Sequence, residues 1–83
     1  MKPLSIAVIG GGSTYTPELI DGFVRYASEL EIERVTLMDI SEERLKIVGD
    51  LVQRMLGDLP VRLVRTTDRR EAIEATQRAT LQL

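Results

Sequence analysis

Residues 8–19 read V-I-G-G-G-S-T-Y-T-P-E-L, and this stretch decides the fold. Three glycines separate an apolar run from a Thr-Pro pair that is typical of a helix start. Glycine reaches positive φ angles and leaves no Cβ between the backbone and a ligand. The first N–H groups of a helix and its dipole favour an anion at such a turn. The stretch therefore predicts a strand, a tight turn and a helix that together bind an anion.

Apolar segments alternate with helix-type periodicity along the rest of the chain. The predicted strands are residues 4–9, 34–40 and 61–66, and a predicted helix follows each of them. The first segment is mostly apolar without clean alternation, which suits a parallel strand covered on both faces. Strands that alternate with helices pair in parallel through right-handed crossovers. We therefore predict an α/β fold, a partial Rossmann-like doubly wound parallel sheet with elements β-α-β-α-β-α and strand order 3-2-1.

Capping residues predict the helix boundaries. Thr16 is expected to cap the first helix, with proline at its first helical position. Ser41 predicts the start of the second helix and Gly57 its end. Asp68, followed by glutamate three residues later, predicts a capping box before a third helix over residues 69–75. Gly22 costs about 1 kcal/mol against alanine inside the first helix, so we expect a close packing partner there.

The tail, residues 76–83, carries a weaker signal. Ala79, Leu81 and Leu83 alternate with polar residues, which favours a fourth strand. In a 3-2-1 sheet the first strand has an unpaired edge unless the tail covers it. If the tail does not pair there, we expect that edge to associate with a second chain.

Composition limits the classes of function. The 83 residues carry a net charge of −2 with both signs interspersed, which argues against a nucleic-acid surface. No apolar run approaches the ~18 residues of a membrane span, and the N-terminal run is too short for a signal peptide, so we predict a cytoplasmic protein without a membrane partner. The chain has no cysteine and no histidine. Thiol chemistry, imidazole catalysis and the usual zinc sites are therefore excluded, and only carboxylate-type metal binding stays open.

The glycine turn resembles a dinucleotide-binding fingerprint in part. Gly10 and Gly12 match the first two glycines of G-x-G-x-x-G, but Tyr15 stands at the third position. Ser13, Thr14 and Tyr15 carry hydroxyl groups that can donate to phosphate oxygens. The alternative for each hydroxyl is a local turn or cap contact, and the alternative for the turn is no ligand at all.

Asp39 is the second element of this predicted site. It lies at the end of the second strand, near the ~20-residue offset that is typical of the acid on an adenosine ribose. A carboxylate accepts hydrogen bonds from the ribose hydroxyls and repels a 2′-phosphate, which favours NAD over NADP. A strand-end cap is the alternative for Asp39. Arg44 argues for NADP, with pairing inside its own helix as the alternative.

Several segments together resemble a known family. They are I-A-V-I-G-G-G-S-T-Y-T-P-E-L-I-D-G-F, V-T-L-M-D-I, I-V-G-D-L and T-T-D-R-R-E-A-I-E. They are similar to the N-terminus of the family 4 glycoside hydrolases, and Y-T-P-E-L and D-I are most similar to the 6-phospho-β-glucosidase branch. The resemblance implies a dehydrogenase-like fold that uses NAD⁺ and a divalent metal, typically manganese. Hydride transfer from the sugar C3 acidifies the C2 proton and permits elimination of the aglycone, an exception to the two-carboxylate scheme of most glycosidases.

The resemblance also implies which residues act and which do not. The cofactor-binding residues carried over are Gly10, Gly11, Gly12, Ser13, Thr14, Tyr15 and Asp39. The family's Cys and His metal ligands and its Tyr base lie beyond residue 83, so no catalytic or metal-binding residue is expected here. Residues 1–83 are thus expected to be an N-terminal NAD-binding fragment, inactive alone, of an enzyme without its catalytic domain.

The expected partners are NAD and, for the parent enzyme, a phosphorylated disaccharide and further copies of itself in a homo-oligomer. Residues 75–80 depart from the family pattern, whereas Gln82 and Leu83 fall in register. Two alternatives stay open: the N-terminal half of an ordinary NAD-dependent dehydrogenase, and a stand-alone nucleotide-binding module.

Overall fold

The computed structural model describes residues 4–26, 29, 31–74 and 79–82. The strands are β1 (Leu4–Ile9), β2 (Ile32–Met38), β3 (Arg62–Thr66) and β4 (Ala79–Gln82). The helices are α1 (Thr16–Arg25), α2 (Glu42–Leu56) and α3 (Arg69–Glu74). Strands and helices alternate, which confirms the predicted α/β class. No helix within these ranges has both the length and the apolar character that a membrane crossing requires.

The four strands form one parallel sheet in the order β3-β2-β1-β4. The predicted order 3-2-1 is confirmed, and the tail supplies the fourth strand. β4 pairs with β1 from Ile6 opposite Ala79 to Ile9 opposite Gln82, so it covers the edge that the sequence left open. Leu83 and residues 75–78 lie outside the described residues. The order is that of the first four strands of a doubly wound nucleotide-binding sheet.

The main core lies between the sheet and the pair α1 and α2. Five aliphatic side chains at its centre are almost fully inaccessible, and each contributes about 1.5–3 kcal/mol by burial. They are Val8, Ile20, Val35, Leu37 and Val52. On the opposite face α3 places Ala72 against a smaller cluster of Ala7, Ile9 and Met38. The alternating side chains of β1 therefore meet helices on both faces, which explains why five of its six residues are apolar.

The boundaries of α2 are those predicted. Ser41 has an extended backbone, and its hydroxyl accepts a hydrogen bond of 3.2 Å from the N–H of Arg44. Gly57 ends the helix with a φ of +52°, a conformation that favours glycine, and its N–H donates to the carbonyl of Gln53. This helix is positioned by its two caps as well as by its buried face.

Three local predictions need correction. β2 ends at Met38, two residues earlier than predicted, because Asp39 turns the chain and leaves Ile40 88% exposed. Thr16 is not the cap of α1: Tyr15 holds that position, and the Thr16 side chain is fully buried inside the first turn. No atom outside the helix backbone lies within 4 Å of a Cβ built on Gly22, so the expected close partner is absent among the described residues.

The start of α3 matches its prediction in part. Oδ1 of Asp68 accepts hydrogen bonds from the N–H groups of Arg70 and Glu71, which confirms the cap. The reciprocal half of the capping box does not form. The N–H of Asp68 donates to the hydroxyl of Thr66, and the carboxylate of Glu71 accepts from that same hydroxyl. Thr66 therefore takes the place that the pattern assigned to Glu71. The final predicted residue of this helix, Ala75, lies outside the described residues.

Candidate functional site

The glycine turn follows β1 and is anchored to the end of β2. Gly10 has a φ of +83°, where an L side chain would be strained. The N–H groups of Gly10 and Gly11 both donate to the carbonyl oxygen of Met38, at 2.8 and 2.7 Å. This carbonyl holds the turn at the carboxyl edge of the sheet, where ligands bind in folds of this class.

Gly11 and Gly12 are required by close approach and not by φ. A Cβ on Gly11 would lie 2.9 Å from the Cβ of Leu37. A Cβ on Gly12 would lie 2.6 Å from the Cβ of Arg44 and 2.8 Å from Oδ2 of Asp39. Any side chain at either position would push the turn away from β2 or from α2.

Asp39 connects the turn to the start of α2. Its Oδ2 accepts a hydrogen bond of 3.0 Å from the N–H of Gly12, and its Oδ1 accepts one of 2.9 Å from the N–H of Ser41. The carboxylate therefore faces the turn, and its bond to Ser41 matches the strand-end cap that was the alternative for Asp39. Each carboxylate oxygen can accept more than one hydrogen bond, so capacity for a ligand hydroxyl remains.

Most backbone N–H groups of the turn already donate hydrogen bonds within the chain, whereas an anion site was expected to leave them free for the ligand. Those of Gly10, Gly11, Gly12, Ser13, Tyr15 and Thr16 all donate to groups of the chain itself. Among the described residues 10–16, the N–H of Thr14 alone has no acceptor within the chain. The hydroxyl of Ser13 accepts from the N–H of Tyr15 at 3.1 Å and keeps its own proton to donate. The donors left for an anion are thus one amide and the hydroxyls of Ser13 and Thr14.

An open cleft of about 570 Å³ lies between the turn and α2. Its walls include five of the seven predicted cofactor residues, namely Gly10, Gly12, Ser13, Thr14 and Asp39. Gly11 is buried beneath the turn, and Tyr15 is 69% exposed outside the cleft, so the structure brings neither to its wall. The remaining lining residues are Arg44, Ile47 and Val48 of α2. Ile47 and Val48 lie three and four residues after Arg44, and this spacing would have predicted that the three share one face of α2.

The end of β3 borders a separate cleft of about 450 Å³, lined in part by Thr66 and Thr67. The N–H of Asp39, which lines the first cleft, donates to the carbonyl of Thr66, which lines the second, at 3.2 Å. Arg65 also borders this cleft, and its Nη1 donates to Asp50 at 2.7 Å. The hydrogen bond from Arg65, followed by that from Lys46, holds the pKa of Asp50 below its usual value. No local sequence pattern predicts this ion pair, since its members are 15 residues apart.

The described part of the chain contains no group of three or more His, Cys, Asp or Glu side chains arranged to hold a metal ion. The charged side chains on the wall of the 570 Å³ cleft are Asp39 and Arg44, one of each sign. A single carboxylate with both oxygens bonded to backbone N–H groups is a poor cation site. The chemistry of this wall favours an anionic ligand that also carries hydroxyl groups.

Comparison with known proteins gives concordant matches. The sequence profile described as Family 4 glycosyl hydrolase matches residues 5–83. The 6-phospho-beta-glucosidase of Escherichia coli (strain K12) is 42% identical over 86 aligned positions, which cover 99% of this chain and 19% of that protein. The chain therefore spans about one fifth of the length of this relative.

Two solved structures match the fold. The 6-phospho-beta glucosidase from Thermotoga maritima, solved with NAD and glucose-6-phosphate, superposes with a TM-score of 0.79 at 40% identity, covering 84% of this chain and 17% of that one. A 6-phospho-alpha-glucosidase from gut microorganisms, solved with NAD and Mn²⁺, superposes with a TM-score of 0.78 at 36% identity, covering 86% and 17%. Both bind NAD, and both are far longer than the matched segment.

Proposed function

Because this chain belongs to the Family 4 glycosyl hydrolases, we propose that residues 1–83 are the N-terminal NAD-binding part of a 6-phospho-β-glucosidase. The observation that carries the proposal is the cleft between the glycine turn and α2, with Asp39 on its wall. Family membership also favours a glycosidase over the ordinary dehydrogenase that the sequence left open. The whole enzyme would hydrolyse phosphorylated β-glucosides with NAD⁺ and a divalent metal such as manganese.

The cleft fits the adenosine diphosphate part of a dinucleotide. On one wall, the free N–H of Thr14 and the hydroxyls of Ser13 and Thr14 can donate to phosphate oxygens. On the other wall, Asp39 can accept from the ribose hydroxyls, and its negative charge disfavours a 2′-phosphate. Gly12 leaves the wall of the cleft free of a side chain, and Gly10 and Gly11 let the turn pack against β2. Tyr15, which is exposed outside the cleft, is the remaining residue that the resemblance assigns to the cofactor.

The β-glucosidase branch is favoured by degree of identity. Identity is 42% to the Escherichia coli β-enzyme and 40% to the Thermotoga maritima β-enzyme, against 36% to the α-enzyme from gut microorganisms.

In such an enzyme NAD⁺ supplies a hydride acceptor. The residues of this chain bind and orient that cofactor and perform no proton transfer. The turn at residues 10–14 sets the position of the diphosphate, and Asp39 sets the rotation of the adenosine ribose about it. The resemblance implies that the Cys and His metal ligands and the Tyr base that removes the C2 proton belong to other parts of the enzyme. The proposal includes a cytoplasmic location and a homo-oligomeric enzyme with a phosphorylated disaccharide as substrate.

The test uses the full-length protein that carries this chain, freed of bound nucleotide and metal. We expect release of nitrophenol from a nitrophenyl 6-phospho-β-glucoside only when both NAD⁺ and Mn²⁺ are added. A substrate deuterated at C3 should react several-fold more slowly if hydride transfer limits the rate. The matched control is the nitrophenyl 6-phospho-α-glucoside, which should react far more slowly.

Two results would overturn the proposal at different levels. Hydrolysis that continues without NAD⁺ would exclude the redox route and leave the cleft unexplained. A preference for the α-glucoside would keep the cofactor role and reject the β-glucosidase branch.

A further inference from the structure

The charge balance of the 570 Å³ cleft suggests a role for a residue that the family resemblance does not assign. The diphosphate of a dinucleotide carries two negative charges, and the cleft already contains the carboxylate of Asp39. Most amides of the turn are engaged within the chain. The helix dipole supplies only about half a positive charge. A full positive charge at this wall can come from one lining residue, Arg44.

The location of Arg44 is well defined. Its backbone N–H is held by the hydroxyl of Ser41 at 3.2 Å, in the first turn of α2. Its Cβ packs directly over Gly12, where an added Cβ would approach within 2.6 Å. The side chain therefore starts at the surface of the glycine turn and lines the same cleft as Ser13 and Thr14.

The guanidinium of Arg44 has no partner among the described residues. Its helix offers none, because the positions three and four residues away hold Ile40, Ser41, Ile47 and Val48. The carboxylate of Asp39 lines the same cleft but forms no ion pair with it; its oxygens accept from the backbone instead. By contrast, Lys46 and Arg65 both pair with Asp50. The side chain of Arg44 is thus available to a ligand.

We infer that Arg44 is the cation that binds the diphosphate of the dinucleotide, and this inference rests on the proposed nucleotide site. The planar guanidinium donates in a fork that matches two phosphate oxygens. Two other contacts would use the same side chain differently: stacking on the adenine ring, and binding a 2′-phosphate. The diphosphate is favoured because the Cβ of Arg44 lies over Gly12, in the centre of the phosphate-binding turn.

The test measures binding of adenosine, ADP, NAD⁺ and NADP⁺ to the full-length protein that carries this chain, by isothermal titration calorimetry. It compares the wild-type protein with Arg44→Gln, which keeps the carbons over Gly12 and removes the charge. The matched control is Arg54→Gln, a charge removal in the last turn of the same helix. We expect Arg44→Gln to weaken ADP and NAD⁺ binding about tenfold or more, with adenosine affinity unchanged. Arg44→Lys should recover part of the loss, and Arg54→Gln should resemble the wild type.

Each other outcome contradicts the inference in its own way. An equal loss for adenosine would indicate stacking on the base, and a loss confined to NADP⁺ would indicate a 2′-phosphate contact. Unchanged affinities in Arg44→Gln would exclude any contact. If the full-length wild-type protein binds neither ADP nor NAD⁺, the proposed nucleotide site itself fails. Should Arg44→Gln unfold, the salt dependence of wild-type binding decides, because ADP but not adenosine must bind more weakly as ionic strength rises.

Discussion

The backbone N–H of Gly12 donates a hydrogen bond of 3.0 Å to Oδ2 of Asp39, and this contact joins the turn after β1 to the end of β2. The acid proposed for the ribose therefore also shapes the turn proposed for the phosphates. Its other oxygen accepts from Ser41, the cap of α2. Three structural elements thus meet at one carboxylate before any ligand arrives, which lowers the ordering cost of binding.

The glycines of α1 and of the turn respond differently to the same substitution. Gly12→Ala places a Cβ 2.6 Å from the Cβ of Arg44, so we expect a loss of stability of about 1–3 kcal/mol and of nucleotide binding. Gly22→Ala meets nothing within 4 Å, so we expect a gain of up to about 1 kcal/mol from helix propensity. Urea unfolding of both variants, monitored by circular dichroism, measures the two changes.

The pair is informative because the chemical change is identical. Equal effects of the two substitutions would show that backbone entropy, and not space, determines them. Normal ADP affinity in Gly12→Ala would show that the turn can move away from α2 and still bind phosphate.

Asp39→Asn separates charge from shape. In the wild type, the N–H groups of Gly12 and Ser41 each donate to a different carboxylate oxygen of Asp39. Asparagine has only one acceptor oxygen on its side chain, so one of these two hydrogen bonds is lost. We expect a loss of about 1–3 kcal/mol in stability, measured by urea unfolding without ligand. Removal of the negative charge should also raise NADP⁺ affinity relative to NAD⁺.

The control for this variant is Asp21→Asn, which removes an exposed carboxylate that pairs with Arg25 on α1. It should change stability by less than about 1 kcal/mol. A normal stability of Asp39→Asn would mean that the two hydrogen bonds do not hold the turn. An unchanged cofactor preference would place the ribose away from Asp39.

The fold was predictable because its signals are local. The apolar run of β1, the caps at Ser41 and Gly57 and the alternation of elements each depend on a few neighbouring residues. The carboxyl-end position of Asp39 followed from the parallel order, since all strand ends meet at one edge. Even the fourth strand was visible as a weak alternation, although its pairing with β1 required the three-dimensional fold.

The details of the site depend on contacts between distant residues, and these were less predictable. Which amides stay free depends on the carbonyl of Met38 and the carboxylate of Asp39, both more than 20 residues from the turn. Gly22 was expected to be packed because glycine is costly in a helix, but no neighbour among the described residues approaches it. The capping pattern assigned the N–H of Asp68 to the carboxylate of Glu71. In the structure this N–H donates to the hydroxyl of Thr66 instead, a contact that the pattern does not predict.

A buried hydroxyl in β2 offers a stabilising substitution. Thr36 is 2% exposed, between Ala7 of β1 and Val64 of β3, and its Oγ1 has no hydrogen-bond partner in the part of the chain that the structure describes. Thr36→Val keeps the shape and removes the unpaired oxygen, so we expect a gain of about 1 kcal/mol in the free energy of unfolding. The control is Thr66→Val, which should destabilise because that hydroxyl bonds Asp68 and Glu71. A loss of stability in Thr36→Val would show that the hydroxyl has a partner.

The ion pair of Asp50 predicts how stability depends on pH. The hydrogen bond from Arg65, and after it that from Lys46, lowers the pKa of Asp50 below the ordinary value of 3.8. A carboxylate with a lower pKa in the folded chain contributes stability that is complete above the unfolded value and disappears as pH falls through the folded value. Asp50→Asn should therefore lower the urea midpoint at neutral pH, and the difference from wild type should vanish in strong acid.

Arg65→Gln should remove most of this pH-dependent difference, because the hydrogen bond from Arg65 is the largest cause of the lowered pKa of Asp50. A difference between wild type and Asp50→Asn that stays constant across the acid range would show that the charge of Asp50 contributes nothing.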